Sequence, residues 1–240
     1  MSGRLAFALS LAGALALAGC DSFPGRPHAG AHDMAPTQIV AFDVLYARHC
    51  AGCHGADGRL GPARALNDPV YLAVVPRERL REVIARGVRG TSQPAFAQSA
   101  GGELTDAQID ALVDGLLRAW KRADAPRDVP PYSAAPGDAG RGKTVFAAAC
   151  ASCHGADGTG GPKGGSVVDP SYLALTSDQG LRTTVIAGRA DLGMPDWRTY
   201  VSGQSLSREQ ISDVVAWLVA QRRPVPGRLA TEALTPRPTR

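Results

Sequence analysis

A chain of 240 residues with 44% apolar and 20% charged residues and a formal net charge of +4 has the make-up of a folded protein. Residues 37–124 carry 11 basic and 10 acidic groups and residues 138–222 carry eight of each, so the excess positive charge sits mainly in the tail, at Arg223, Arg228, Arg237 and Arg240. That balance, with no basic stripe interleaved with aromatics, excludes the footprint of a nucleic-acid binder.

The chain opens on Arg4 and an apolar run from Leu5 to Ala18 that is too short for a comfortable membrane span and ends in small residues. This is the layout of a secretory signal over residues 1–19. Leu17-Ala18-Gly19-Cys20 resembles a bacterial lipobox, with Cys20 as the lipidated first residue of the mature chain; the alternative is an ordinary signal peptide with an incidental cysteine. More than one acyl chain is what stable anchoring requires. Asp21 resembles the signal that retains such lipoproteins at the inner membrane, which predicts a lipid-anchored protein on its periplasmic face. Residues 20–36, rich in Pro, Gly and Ala, read as a flexible tether.

Cys50-Ala-Gly-Cys53-His54 comes next, and Cys150-Ala-Ser-Cys153-His154 follows 100 residues later, each trailed by Gly-Ala-Asp-Gly. Two thiols three positions apart on one helical turn can form thioethers to the two vinyl groups of a haem, with the adjacent histidine beneath the iron. The two motifs and Cys20 use all five cysteines, leaving none for a disulfide framework. A zinc knuckle would need further Cys or His pairs, and a thioredoxin-like pair does not need the following His. Two covalent haem c groups are therefore expected.

An internal repeat sets the organisation. Gly61-Pro62 matches Gly161-Pro162, Asp68-Pro69-x-Tyr71-Leu72-Ala73 matches Asp169-Pro170-x-Tyr172-Leu173-Ala174, and Leu104-x-x-x-Gln108-Ile109 matches Leu206-x-x-x-Gln210-Ile211. The expected layout is one domain over 37–124, a Pro-rich extended linker over 125–137, a second domain over 138–222 and a disordered Pro/Arg-rich tail over 223–240. In each half a helix enters the motif, with Phe42, Tyr46 and Cys50 matched by Gly142, Phe146 and Cys150. Thr105-x-x-Gln108 and Ser207-x-x-Gln210 are capping boxes that open closing helices. Those helices are expected to point Ile109, Leu112, Val113, Leu116, Leu117 and Trp120, and Ile211, Val214, Val215, Leu218 and Val219, inward. With only 5% aromatic residues, each core would be thin without a buried macrocycle.

These motifs, the Gly-Pro downstream, a methionine before proline and the paired terminal helices make the chain resemble the class I (mitochondrial-type) c cytochromes across nearly its whole mature length. The resemblance implies an all-α fold of two tandem domains, each wrapped around one haem. It implies Cys50, Cys53, Cys150 and Cys153 as thioether sites and His54 and His154 as iron ligands. The Pro62 and Pro162 carbonyls would accept from the imidazole N–H groups, with turn-making as their alternative role. Met194, 40 residues after His154, is the implied sixth ligand of haem 2. The first half departs from the pattern, because a gapless alignment from Asp68 to Pro94 puts Gln93 opposite Met194. The sixth position of haem 1 stays open between Gln93 binding through its amide oxygen, a five-coordinate or water-bound iron, a tether residue (Met34, His28 or His32), and a ligand from a partner. A weak or absent protein ligand is the favoured arrangement.

The run Arg77, Arg79, Arg81, Arg86 and Arg89, interleaved with Glu78 and Glu82, reads as a solvated helix face, with an acidic partner as the alternative. Electron relay between redox partners at the membrane is the expected function: a quinol-oxidising complex, a dehydrogenase or a terminal oxidase, with the protein an electron-transfer component and not itself an enzyme. The competing reading is a dihaem enzyme, peroxidase-like or reducing a small ligand, with an open haem 1 fed by haem 2; residues 86–100 offer it Gln93, Arg86 and Arg89 but no His, Glu or Asp.

Overall fold

A computed structural model describes residues 34–200 and 204–223. Cys20, His28, His32 and the tail beyond residue 223 lie outside the described residues.

The described chain is helical throughout, and the two halves repeat one plan. In the first half the helices are α1 (Phe42–His49), α2 (Ala51–His54), α3 (Pro69–Val74), α4 (Arg77–Arg86) and α5 (Asp106–Trp120). Their counterparts are α6 (Ala139–Ala149), α7 (Ala151–His154), α8 (Pro170–Leu175), α9 (Asp178–Ala187) and α10 (Arg208–Ala220). Local chemistry sets the ends. Asp68 accepts from the Val70 and Tyr71 amides with Pro69 in the first turn, and Asp169 does the same for Ser171 and Tyr172. Both capping boxes form, Thr105 with Gln108 and Ser207 with Gln210.

α5 buries Ile109, Leu112, Val113 and Leu116 as its periodicity requires, with Leu117 and Trp120 partly buried. In α10 the inward stripe is rotated from the expected one. Ile211, Val214 and Leu218 are buried, but Trp217 and Asp213 are buried as well, and Val215 and Val219 only partly. Gly142 explains the rotation: a Cβ there would lie 2.0 Å from the Asp213 carbonyl and 2.8 Å from the Trp217 Cβ, so α6 and α10 cross at backbone contact. Asp213, thus enclosed, accepts from the Arg141 guanidinium and the Asp138 amide. The first half makes the same crossing with the sizes exchanged, since Gly115 on α5 faces Phe42 on α1, whose ring would lie 2.1 Å from an added Cβ.

The halves are not beads on a spacer. Val70 and Val74, on α3 of the first half, are buried in the cluster that holds Phe146, Leu173, Leu181, Val185 and Ile186 of the second. The 125–137 segment is tied down too: Arg182 donates to the carbonyls of Pro131 and Tyr132, and Gln179 donates to that of Tyr132. Three of the arginines of α4 are paired with acids, where the sequence suggested a solvated face. Arg77 bonds Asp114, Arg81 bonds Asp106 and Asp110, and Arg79 pairs with Glu82. The extra acids come from α5, a partner the local sequence does not reveal.

Gly142→Ala should cost about 1–3 kcal/mol of stability, because its Cβ meets immobile backbone and not a side chain that can turn away. Denaturant unfolding of the haem-loaded protein measures it; a loss below a few tenths would show that the crossing tolerates separation.

Candidate functional site

Each proximal side is built from one helical turn and one returning loop. α1 ends at Cys50, and the chain restarts as α2, so that Cys53 and His54 both donate their amides to the Cys50 carbonyl. Gly55, at φ +86°, then turns the chain away. The loop comes back close enough that a Cβ on Gly61 would lie 2.3 Å from the Cys53 carbonyl oxygen, and one on Gly161 would lie 2.4 Å from that of Cys153. Only glycine fits.

The returning loop orients the imidazole, but not through the prolines. His54 Nδ1 donates to the Arg64 carbonyl at 2.6 Å, and His154 Nδ1 donates to the Gly165 carbonyl at 2.8 Å. Pro62 and Pro162 occupy the exposed corner of the turn, and the backbone must pass that corner before a carbonyl can face the ring. A carbonyl can only accept, so Nδ1 carries the proton and Nε2 keeps its lone pair for iron. Burial lowers the His54 pKa, which favours the neutral form that a metal requires. Burial pushes Cys50 up to about 11 and Cys150 up to about 12, the direction expected of thiols in apolar surroundings and opposite to that of a low-pKa redox pair. Among the described residues no three His, Cys, Asp or Glu side chains gather as a metal site.

The distal loops share the backbone bond that presents the candidate ligand. The Val88 amide donates to the Gln93 carbonyl and the Arg189 amide to the Met194 carbonyl, both at 3.0 Å. Gly87 and Gly188 share φ of +66° and +67°, and a Cβ on each would lie 2.6 Å from the carbonyl of Gln93 or Met194 respectively. Gln93 therefore stands in the frame of Met194. Its carboxamide nitrogen makes a long 3.4 Å bond to the Pro94 carbonyl. Met34 is 65% exposed. His49 packs edge-on to Phe96 and pairs with Glu103.

A feature the sequence reading missed lies where the first half's proximal loop meets the second half's distal loop. Arg189 makes a two-pronged pair with Asp191 and also donates to the Gly61 carbonyl; Asp191 in turn accepts from the Leu60 amide. Leu60 is the one non-glycine residue at positive φ among those described, at 60°. Arg64 closes the junction from the other side, donating to the Gly188 carbonyl at 2.9 Å. No local pattern marks these residues, since Arg64 corresponds to a glycine, Gly165, and Arg189 to a valine, Val88, in the repeat.

Unpaired cysteines one turn apart, an imidazole with a free Nε2 and apolar clusters that include Cys50 and Cys150 fit covalent haem in each half. Fold and site together define a dihaem c-type cytochrome, an electron carrier with two haem c groups. Residues 37–114 and 137–218 match the family described as cytochrome c oxidase, cbb3-type, subunit III, and the chain belongs to that family. It is 32% identical over 162 residues to the cbb3-type cytochrome c oxidase subunit FixP of Azorhizobium caulinodans, covering 64% of this chain and 51% of that protein. It is 31% identical over 191 residues to subunit CcoP of Rhodobacter capsulatus, covering 73% and 59%. The chain thus spans about half the length of the curated relatives it matches. Among solved structures, a reducing HAO-like protein complex of Kuenenia stuttgartiensis aligns at TM-score 0.46 and 17% identity, over 75% of this chain and 95% of that one.

Two outcomes are expected. Replacing Cys150 and Cys153 together by Ser should lower the covalent haem content from two per chain to one, read by pyridine haemochrome absorbance against protein; an unchanged ratio would remove Cys150 and Cys153 as attachment sites. Asp191 is held at about 2, below its ordinary 3.8, by the hydrogen bonds from Arg189 and the Leu60 amide. Its contribution is complete above 3.8 and is lost as pH falls toward 2. Asp191→Asn should therefore lower the unfolding midpoint at neutral pH and narrow its gap to the wild type in acid.

Proposed function

We infer that the protein relays electrons on the periplasmic face of the inner membrane, tethered by a lipid on Cys20, with a cbb3-type terminal oxidase as the acceptor or the complex it joins. The observation that carries the relay is the shared distal frame with unlike occupants, Met194 in one half and Gln93 in the other. Bound haem supplies reversible one-electron storage at each iron. Everything else falls to the chain. His54 and His154 would each hold an iron through Nε2, the ring kept in one orientation by a loop carbonyl. Met194 offers a soft thioether, which favours ferrous iron and raises the potential. Gln93 offers a hard, weak amide oxygen or leaves the position to water, which sets haem 1 at a lower potential. The buried packing of α3 holds the two sites at a fixed separation, and a lower potential in the His54 half would direct electrons to the Met194 half. The oxidase as partner rests on the relatives that carry that name.

The same Gln93 supports a second reading, in which haem 1 binds a small exogenous ligand and haem 2 feeds it. Residues 86–100 hold Thr91, Arg86 and Arg89 beside Gln93 but no His, Glu or Asp to assist peroxide cleavage, so relay is the reading we adopt.

Carbon monoxide separates the two haems. In the reduced protein one haem should bind it rapidly and the other should not, and Gln93→Met should abolish the rapid binding and raise the potential of haem 1. Failure of both haems to bind carbon monoxide would mean that a strong sixth ligand reaches haem 1 from elsewhere. Steady peroxide turnover by the wild type would favour the enzyme over the carrier.

A further inference from the structure

Arg64 engages both halves at the junction, and its bonds are incomplete. Its carbonyl holds the His54 ring, its Nη2 donates to Gly188 of the opposite half, and its guanidinium lies 5.2 Å from the centre of the Tyr71 ring. Its remaining terminal nitrogen, Nη1, is buried with no hydrogen-bond partner. One other side-chain atom among the described residues is buried in the same unpartnered state, the Oη of Tyr200. Tyr200 follows the Met194 loop and packs on the second half's core, where Cys150 also packs. The Tyr71 ring beneath the Arg64 guanidinium packs against that same core, which brings the two groups to one neighbourhood.

Two unpartnered donors in one buried, cationic place call for an oxyanion, because an unpaired buried guanidinium is strongly disfavoured. The neighbouring side-chain carboxylates are already engaged. Asp191 is held by Arg189 and the Leu60 amide, Asp68 caps α3, and Asp196 is paired with Arg198. The remaining carboxylates expected nearby belong to haem itself.

We propose that Arg64 Nη1 and Tyr200 Oη bind a propionate carboxylate of haem 2, so that a residue of the first half completes the cofactor site of the second. Arg64 is then a positioning residue for both haems. Its backbone steers the ligand of haem 1, and its side chain offsets a negative charge on haem 2, which makes the ferric form less favourable and raises the potential. The inference rests on the two covalent haems and not on the identity of any redox partner.

The test is a spectropotentiometric titration of the full-length, haem-loaded protein. Arg64→Met should lower the equilibrium constant for reducing haem 2 by about tenfold, a shift of about 59 mV for a one-electron couple. Arg64→Lys should recover most of that shift by restoring the charge. Tyr200→Phe should move haem 2 in the same direction by less, and it carries the test alone if Arg64→Met fails to load both haems. The spectrum of haem 1 should stay the same, since the Arg64 carbonyl survives each replacement. An unmoved haem 2 potential in Arg64→Met, or in Tyr200→Phe where that variant carries the test, overturns the proposal. A shift confined to haem 1 overturns it as well, by giving the carboxylate to the other cofactor.

Discussion

Val70 and Val74 belong to the first half by sequence and to the second by burial, and the arrangement of the molecule follows from that. Each valine taken from water contributes about 1.5–3 kcal/mol, enough for the pair to hold two small helical units together where surface ion pairs contribute far less. With α3 fixed in this way, the loop that carries the Arg64 carbonyl is pressed against the loop that carries Met194. The contacts of Leu60, Gly61 and Arg64 with Gly188, Arg189 and Asp191 are then a consequence of apolar packing a few residues away. They add direction to an interface whose driving force is hydrophobic.

The two sites share their proximal construction and part company in the distal loop, where Gln93 stands at the position of Met194. The frame that presents Met194 and Gln93 is a glycine at positive φ followed by a short backbone bridge, and neither part depends on what the presented side chain is. Such a frame allows the ligand to be exchanged without refolding the loop. The loops are nonetheless braced differently, by the Thr91 hydroxyl on the Val88 carbonyl in one and by the Arg189–Asp191 pair in the other. The stronger brace lies on the side with the methionine and faces the neighbouring half.

Much of the fold could be read from the chain because its signals are local. The cysteine spacing, the Asp-Pro caps, the capping boxes and the i, i+3, i+4 stripe on α5 each act within a few residues of where they are written. What could not be read was long-range. The acceptor for His54 lies ten residues beyond it, and which carbonyl of the loop faces the ring depends on how tightly Gly61 lets the backbone return. The junction joins residues more than a hundred positions apart. One clue was present: at the position of Val70 in α3, the repeat has Ser171. An apolar residue that its own repeat does not require is a sign of a neighbour.

The exchanged sizes at the two helix crossings bear on how a duplicated chain finds its correct partners. In a nascent chain with two similar halves, α1 could pair with α10 and α6 with α5. The first mispairing sets Phe42 against Trp217 where there is room for one large group. The second sets Gly142 against Gly115 and leaves a void. One is overfilled and the other is hollow, and both are disfavoured relative to the native pairs. The placement of a glycine on α5 in one half and on α6 in the other thus acts as a sorting code, by which each entering helix recognises the closing helix of its own half.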